Sequence, residues 1–78
     1  MALIQIDRTL VARGLACPMP IVKTAQLMKT MASGETLEVV STDAGSVKDF
    51  AAWSRTTGHP LLESSTDAAT YRFVIRKA

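Results

Sequence analysis

The sequence contains one cysteine, one histidine and few aromatic residues: one Trp, one Tyr and two Phe among 78 residues. A single cysteine excludes an internal disulfide and a zinc site built from several cysteines. The chain therefore suits a reducing compartment, and we expect a cytoplasmic protein. No apolar run approaches the roughly 20 residues that span a membrane. The first residues also lack the charged and apolar regions of a signal peptide, so we expect no membrane association.

The composition is that of an ordinary globular protein, with 47% hydrophobic and 21% charged residues. We expect one domain, residues 1–78, with a modest core and no repeats or linkers. The net charge is +2, and the basic residues are scattered along the chain. Nucleic-acid-binding proteins more often show a basic stripe with interleaved aromatic residues. Direct nucleic-acid binding is therefore not expected, and solvated surface charges are the favoured interpretation.

The pattern of apolar residues and turn signals predicts the order βαβαββ. A strand lies within residues 3–12, in the half nearest Gly14, and the predicted elements that follow are a helix over 18–32, a strand over 35–41, a helix over 46–57, a strand over 61–65, a turn over 66–69 and a strand over 70–76. A sheet with both crossover helices on one face is an α/β fold, a two-layer sandwich.

Helical spacing predicts the buried faces of the two helices. On the first helix the predicted core residues are Ile21, Ala25, Met28 and Ala32, with Thr24 and Met31 beside them. Methionines at this spacing indicate core rather than a metal site. On the second helix the predicted inward residues are Val47, Phe50, Ala51 and Ser54, with Trp53 on the flank.

Helix ends are also predicted from the sequence. Gly34 is a natural left-handed end for the first helix, and Gly58 for the second. Ser46 with Asp49 three residues later resembles a capping box at the start of the second helix. In the last strand, Tyr71, Phe73 and Ile75 alternate with Arg72, Val74 and Arg76.

The chemistry of the chain concentrates in residues 12–22, around Cys17. Pro18 and Pro20 are tolerated in a first helical turn, which places Cys17 at the N-cap of the first helix. Gly14 permits a sharp turn out of the preceding strand. The positive end of the helix dipole lowers the pKa of a thiol, and the thiolate is the reactive form. Because proline has no N–H, the Met19 amide is expected to be one of the few donors left to face the sulfur.

A lone cysteine is more often a buried and inert hydrophobic residue. Two first-turn prolines behind a glycine favour an accessible Cys17 instead. In right-handed βαβ units, the strands end where the helices begin, so we expect Cys17, Asp43, Gly45, Ser46 and the Asp67 hairpin at one end of the molecule. The same geometry places His59 at the opposite end. A Cys–His nucleophile pair, and with it a hydrolase or protease, is therefore disfavoured.

A polarised thiolate without a neighbouring base can attack an electrophilic sulfur, hold it as a persulfide and give it to another thiolate. This exchange needs no metal and no cofactor. Redox sensing by Cys17 is an alternative. A regulatory or interaction domain in which Cys17 is structural is another.

The residues 12–21, Ala-Arg-Gly-Leu-Ala-Cys-Pro-Met-Pro-Ile, closely resemble the signature of the TusA/SirA family of small sulfur-carrier proteins. The resemblance continues at Lys23-Thr24, at 33–35, at 41–46 and over 71–77, and so covers nearly the whole chain. It implies a sheet of strand order 1-2-4-3 with the fourth strand antiparallel to the others. One departure is Val11, where the family often has Asp two residues before the Arg-Gly pair.

By this resemblance, Cys17 accepts a persulfide sulfur from a cysteine desulfurase or a rhodanese-type protein. It then passes the sulfur to an acceptor thiol, such as a DsrE-like subunit. The implied activity is that of a sulfurtransferase without a cofactor. Its destination is either 2-thiouridine in tRNA or dissimilatory sulfur oxidation, and we expect a monomer.

Roles follow as hypotheses for the residues around Cys17. Pro18 and Pro20 fix the helix start, and Gly14 permits the corner. Arg13, Met19, Lys23 and Lys29 are candidate contacts to a partner protein, the basic ones through an acidic surface. For the two lysines, simple solvation is an equally good interpretation. Asp43 either caps the second helix or touches the partner, and capping is favoured.

Overall fold

The computed structural model describes residues 5–16 and 19–78 of the chain. Within them lie β1 (Arg8–Ala12), α1 (Met19–Met28), β2 (Thr36–Ser41), α2 (Ser46–Thr57), β3 (Leu61–Asp67) and β4 (Thr70–Arg76). This order confirms the predicted βαβαββ arrangement. Residues 3 and 4 of the predicted first strand lie outside the described residues.

The four strands form one sheet in the order β1-β2-β4-β3. β1 and β2 are parallel, and β4 is antiparallel to both β2 and β3. The parallel pair requires a crossover, which α1 provides. The strand order and the direction of β4 are those implied by the family resemblance.

The core lies between the two helices and one face of the sheet. Four completely buried strand residues share this face: Leu37, Val39, Phe73 and Ile75. Met28 of α1 and Phe50 of α2 belong to the same buried cluster. The Phe50 ring stacks on Phe73 with 4.5 Å between ring centroids. Both helices therefore pack on the same face, as a two-layer sandwich requires.

The buried stripe of α1 differs from the predicted one by about one position. Its buried residues are Pro20, Thr24 and Met28, which are spaced four apart, while Ile21 and Ala25 are only half-buried. Thr24 can be buried because its hydroxyl donates to the Pro20 carbonyl oxygen at 2.8 Å. A threonine that satisfies its own hydroxyl within the helix can occupy a core position.

The predicted end of the first helix is wrong, since α1 ends at Met28 and not near Ala32. The amides of Thr30 and Met31 donate to carbonyls three residues back, at 3.0 and 3.1 Å. The Ala32 amide donates instead to the Glu35 carboxylate at 2.7 Å. These contacts replace the helical pattern, so Ala32 is exposed rather than part of the core. Gly34 has a left-handed φ of +90°, but in the turn before β2.

The second helix has the predicted bounds, and Gly58 ends it with a φ of +81° and an amide bond to the Ser54 carbonyl. The predicted inward position of Val47 is wrong, because this side chain is 38% exposed. The buried residues of α2 are Ser46 and Phe50, four residues apart. Val47 is rotated by about 100° from Ser46 around the helix axis and so points away from the sheet.

The strand β3 is two residues longer than predicted, and its hairpin turn shortens to Ala68 and Ala69. On the helix-free face of the sheet, Arg72 of β4 binds two carboxylates, Glu38 of β2 and Glu63 of β3. Val74 pairs with both of these glutamates across the sheet and is completely buried. The ion-pair network therefore covers an apolar residue that lies outside the main core. No helix among the described residues has the length and hydropathy needed to cross a membrane.

Candidate functional site

The carboxyl ends of β1 and β2 lie side by side at one end of the sheet. Ala12 and Ser41, the last residues of the two strands, are register partners. Ser41 also pairs with Tyr71 of β4, next to the turn between β3 and β4. We call this end of the molecule the site pole. The loop that follows β1 and the loop that follows β2 both start from it.

Cys17 and Pro18 lie outside the described residues, but their sequence neighbours are described. Ala16 and Met19 are both exposed. The Met19 amide donates to the Ala16 carbonyl oxygen at 2.9 Å. This bond contradicts the expectation that the Met19 amide is left to face the sulfur, because the amide already has a backbone acceptor within the turn.

The loop after β1 carries two of the predicted site residues, Arg13 and Gly14. Arg13 is exposed. Gly14 has a φ of +77°, a conformation in which a residue with a side chain is strained. The Gly14 amide donates to the hydroxyl oxygen of Thr42 at 2.9 Å. The side chain of Leu15 packs against the core from the same loop.

The loop after β2 is held by short hydrogen bonds around Asp43. The Asp43 carboxylate accepts the Gly45 amide at 3.2 Å, and the Asp43 carbonyl accepts the Ser46 amide at 3.0 Å. The Asp43 amide in turn donates to the Ser41 hydroxyl at 3.2 Å. Asp43 therefore shapes the turn that leads into α2, whose N-cap residue is Gly45. The choice between a capping role and a partner contact for Asp43 stays a prediction.

The predicted capping box at Ser46 is wrong. The N-cap residue of α2 is Gly45 and not Ser46, and glycine has no side chain with which to cap the helix. The Ser46 hydroxyl is buried and shares a hydrogen bond of 2.8 Å with the Ser41 hydroxyl. The hydroxyl that the pattern assigned to a helix end therefore connects β2 to α2 instead.

The start of α1 exposes apolar and basic side chains together. Met19 is 39% exposed and Val22 is 38% exposed. Lys23 is also exposed, whereas Pro20 is completely buried. Lys29 follows the last residue of α1 and is therefore remote from this first turn. Of these candidate partner contacts, Met19 and Lys23 lie four residues apart on α1, whereas Lys29 lies beyond its other end.

His59 lies at the end of the sheet opposite the site pole, as predicted. Its Nδ1 atom accepts the amide of Ala78 at 3.0 Å, and the neighbouring Pro60 carbonyl accepts the amide of Arg76, which pairs with the first residue of β2. Burial lowers the pKa of His59 from 6.5, and the positive charge of Lys77 lowers it further. The neutral form of His59 is the one that can accept this hydrogen bond.

Thr42 and Ser41 are the residues at the site pole whose contacts the sequence reasoning missed. Both belong to the stretch that resembles the family, but no role was assigned to them. A usable signal is their position directly at the end of a strand that is parallel to β1, beside the loop that leads to Cys17. No group of three or more His, Cys, Asp or Glu side chains suited to a metal ion occurs within residues 5–16 and 19–78.

Comparison with known proteins identifies the class of this fold and site. The family model described as sulfurtransferase TusA matches residues 8–77. The putative sulfur carrier protein YrkI of Bacillus subtilis is 48% identical over 71 residues, covering 91% of this chain and 95% of the relative. The sulfur carrier protein TusA of Allochromatium vinosum is 43% identical over 72 residues, covering 92% of this chain and 95% of the relative.

A solved structure shows the same fold. The SirA-like protein of Desulfitobacterium hafniense superposes with a TM-score of 0.78 at 18% identity, over 88% of this chain and 95% of that one. In another relative, the putative sulfur carrier protein YrkF of Bacillus subtilis, the matching region is 36% of a longer chain at 48% identity. The chain belongs to the TusA family of sulfur carrier proteins.

Proposed function

We propose that Cys17 carries sulfane sulfur as a persulfide and relays it from a donor protein to an acceptor protein. The observation that carries this proposal is the combination of a sulfur-carrier family with a single cysteine in 78 residues. A carrier of this kind needs a sulfur nucleophile, and Cys17 is the only thiol in the sequence. Residues 1–78 act in this proposal as one monomeric carrier domain in the cytoplasm, where thiols stay reduced.

The transfer step is a thiol exchange. The Cys17 thiolate attacks the outer sulfur of a persulfide on the donor protein. A new S–S bond forms at Cys17 while the S–S bond of the donor breaks, and the donor cysteine leaves as a thiolate. Charge and oxidation state balance without a metal, a base or a cofactor. The acceptor thiolate then repeats the same attack on the Cys17 persulfide.

The surroundings of Cys17 support its access to a partner. The residues on either side of the Cys17-Pro18 dipeptide, Ala16 and Met19, are exposed. Arg13 and Lys23 are exposed on the same end of the molecule. An apolar contact at Met19 with basic residues around it suits a partner whose site entrance is apolar with an acidic rim. In the proposal, Asp43 supports this surface by holding the turn before α2 and does not itself contact the partner.

The proposed donors are a cysteine desulfurase or a rhodanese-type protein, and the proposed acceptor is a DsrE-like protein or another thiol protein. The destination of the sulfur is tRNA thiolation or dissimilatory sulfur oxidation. A direct test of the destination offers loaded protein to a DsrE-like acceptor and to a tRNA-thiolating system, and follows labelled sulfur. Transfer to neither would contradict both destinations.

The central test is sulfur loading followed by intact-protein mass spectrometry. After incubation with a purified cysteine desulfurase and cysteine, we expect the protein to gain one sulfur atom that reducing agent removes. The Cys17→Ser variant should gain none while keeping the same circular dichroism spectrum. Undiminished loading of Cys17→Ser would refute the proposal. A stable sulfenate instead of a persulfide would favour the redox sensor.

A further inference from the structure

We propose that Thr42 is a positioning residue for Cys17 and acts through the backbone of Gly14. This inference rests on the proposed function, because it concerns how the sulfur-carrying residue is presented. The observation behind it is a hydrogen bond of 2.9 Å, in which the Gly14 amide donates to the Thr42 hydroxyl. The two residues are 28 positions apart in sequence.

The bond continues the pairing of β1 with β2 beyond the end of the sheet. Ala12 and Ser41 are the last register partners of the two strands. Thr42 is the next residue after Ser41, and Gly14 is the second residue after Ala12. Beyond the last backbone pair, the acceptor is thus a side-chain hydroxyl, at the point where the chain turns toward Cys17. Gly14 precedes Cys17 by only three residues.

The anchor itself is fixed on both sides of Thr42. Ser41 is completely buried, and its hydroxyl is bound to the Ser46 hydroxyl at 2.8 Å. Asp43 is held through its amide by Ser41 and through its carbonyl by the Ser46 amide. The backbone of Thr42 therefore lies between two tethered neighbours, and its exposed hydroxyl is presented from this fixed stretch of chain.

The corner at Gly14 has no comparable support from packing. Among residues 5–16 and 19–78, and leaving aside the two chain neighbours of Gly14, no atom lies within 4 Å of the point where a Cβ would stand on Gly14. Leu15 anchors the loop by its side chain, and its amide donates to Ala12 at 3.3 Å. The Thr42 bond fixes the direction of the backbone between these points. Without it, residues 13–16 sample more conformations, and in this proposal Cys17, which follows them directly, reacts more slowly.

The test compares three variants with the unaltered protein. Thr42→Val removes the hydroxyl at nearly constant volume, and Thr42→Ser keeps it. Thr30→Val is the matched control, because the exposed Thr30 hydroxyl donates to the Leu27 carbonyl oxygen within its own turn. The first readout is the rate of Cys17 alkylation by iodoacetamide as a function of pH. The second readout is hydrogen exchange at the Gly14 amide.

We expect Thr42→Val to be alkylated about 2- to 10-fold more slowly at neutral pH, the effect of one lost neutral hydrogen bond. Its Gly14 amide should exchange faster, while Thr42→Ser and Thr30→Val stay near the original values in both readouts. A merely structural Thr42 would lower stability without altering the alkylation profile of the folded protein.

Two results would overturn the inference: unchanged alkylation of Thr42→Val, or an equal loss in Thr42→Ser. Alkylation of Cys17 requires no sulfur cargo and no partner. A failure of Cys17 to load sulfur therefore refutes the proposed function without changing these rates, and the two failures are distinguishable.

Discussion

The hydroxyl oxygens of Ser41 and Ser46 lie 2.8 Å apart in the interior of the protein, where Ser41 is 0% and Ser46 1% exposed. Ser41 ends β2 and Ser46 begins α2. The bond therefore joins the two ends of the loop formed by residues 42–45. In this loop, the Thr42 hydroxyl accepts the Gly14 amide. This buried pair of serines thus fixes the loop after β2, and that loop in turn binds the loop that leads to Cys17.

Removing one member of this pair leaves the other hydroxyl buried without its partner. Ser41→Ala and Ser46→Ala should each lower the free energy of unfolding by about 1–3 kcal/mol, as buried polar groups without partners do. Ser41→Ala should cost more, because Ser41 also accepts the Asp43 amide. The double variant should cost clearly less than the sum, since it leaves no orphan hydroxyl. Urea denaturation measures all four proteins, and strictly additive costs would contradict the pairing.

The pH dependence of stability should contain a contribution from His59. Burial, followed by the charge of Lys77, lowers the pKa of His59 below its usual value of 6.5. Near and below that pH the unfolded chain binds more protons than the folded protein, so stability rises with pH in this range. The contribution is complete above pH 6.5 and is lost as the pH falls below it.

The measurement is urea denaturation between about pH 5 and pH 8, which brackets the titration of histidine. His59→Gln is the control because glutamine does not titrate. The difference in unfolding free energy between the two proteins should favour the unaltered protein progressively more as the pH rises. A difference independent of pH would contradict the depressed pKa.

Much of the fold could be predicted because single residues marked the ends of elements. Gly58 ends α2 where expected, and the alternation in 70–76 gave the bounds of β4. The end of α1 could not be predicted, because after Met28 the amides of Thr30 and Met31 bond to carbonyls three residues back, and the Ala32 amide bonds to the Glu35 carboxylate. Contacts between a helix end and a later residue leave no periodic signal.

Some features of the candidate site could likewise be predicted from the sequence, and others could not. The topology of parallel strands was enough to bring Asp43, Gly45 and Ser46 to one end and His59 to the other. The capping box failed because Ser46 has a stronger partner in Ser41, which only the folded geometry supplies. The hydrogen bond between Gly14 and Thr42 joins residues 28 positions apart, and no local pattern predicts such a bond.

The turn between β3 and β4 should tolerate glycine at only one of its two alanines. Ala68 has a φ of +55° and is the only non-glycine residue with positive φ among those described. Ala68→Gly should relieve this strain and stabilise the protein by about 0.5 kcal/mol after the entropy of the unfolded glycine is subtracted. The matched control Ala69→Gly should instead destabilise by about 0.5–1 kcal/mol. Thermal or urea denaturation measures both, and destabilisation by Ala68→Gly would contradict the left-handed conformation.

Arg13 and Arg76 offer a matched pair of charges at opposite ends of the sheet. Arg13 directly follows Ala12, which pairs with the last residue of β2, whereas Arg76 pairs with Thr36, the first residue of β2. At about 3.3 Å per strand residue, the two positions are roughly 15–20 Å apart along the sheet. This exceeds the Debye length of about 10 Å at 0.1 M salt, so a partner docked at one end is screened from the other. Both arginines are exposed.

If partners dock at the site pole as proposed, Arg13→Glu should slow sulfur loading from a donor protein by about 3- to 10-fold at about 0.1 M salt, because a rim charge mainly sets the association rate. Arg76→Glu makes the same change in net charge and should alter the rate by less than about 2-fold. The measurement is the second-order loading rate at several salt concentrations, where the deficit of Arg13→Glu should shrink as salt rises. Equal deficits in the two variants would show that overall charge, and not a surface around Arg13, attracts the donor. An unchanged rate for Arg13→Glu would remove Arg13 from the partner surface.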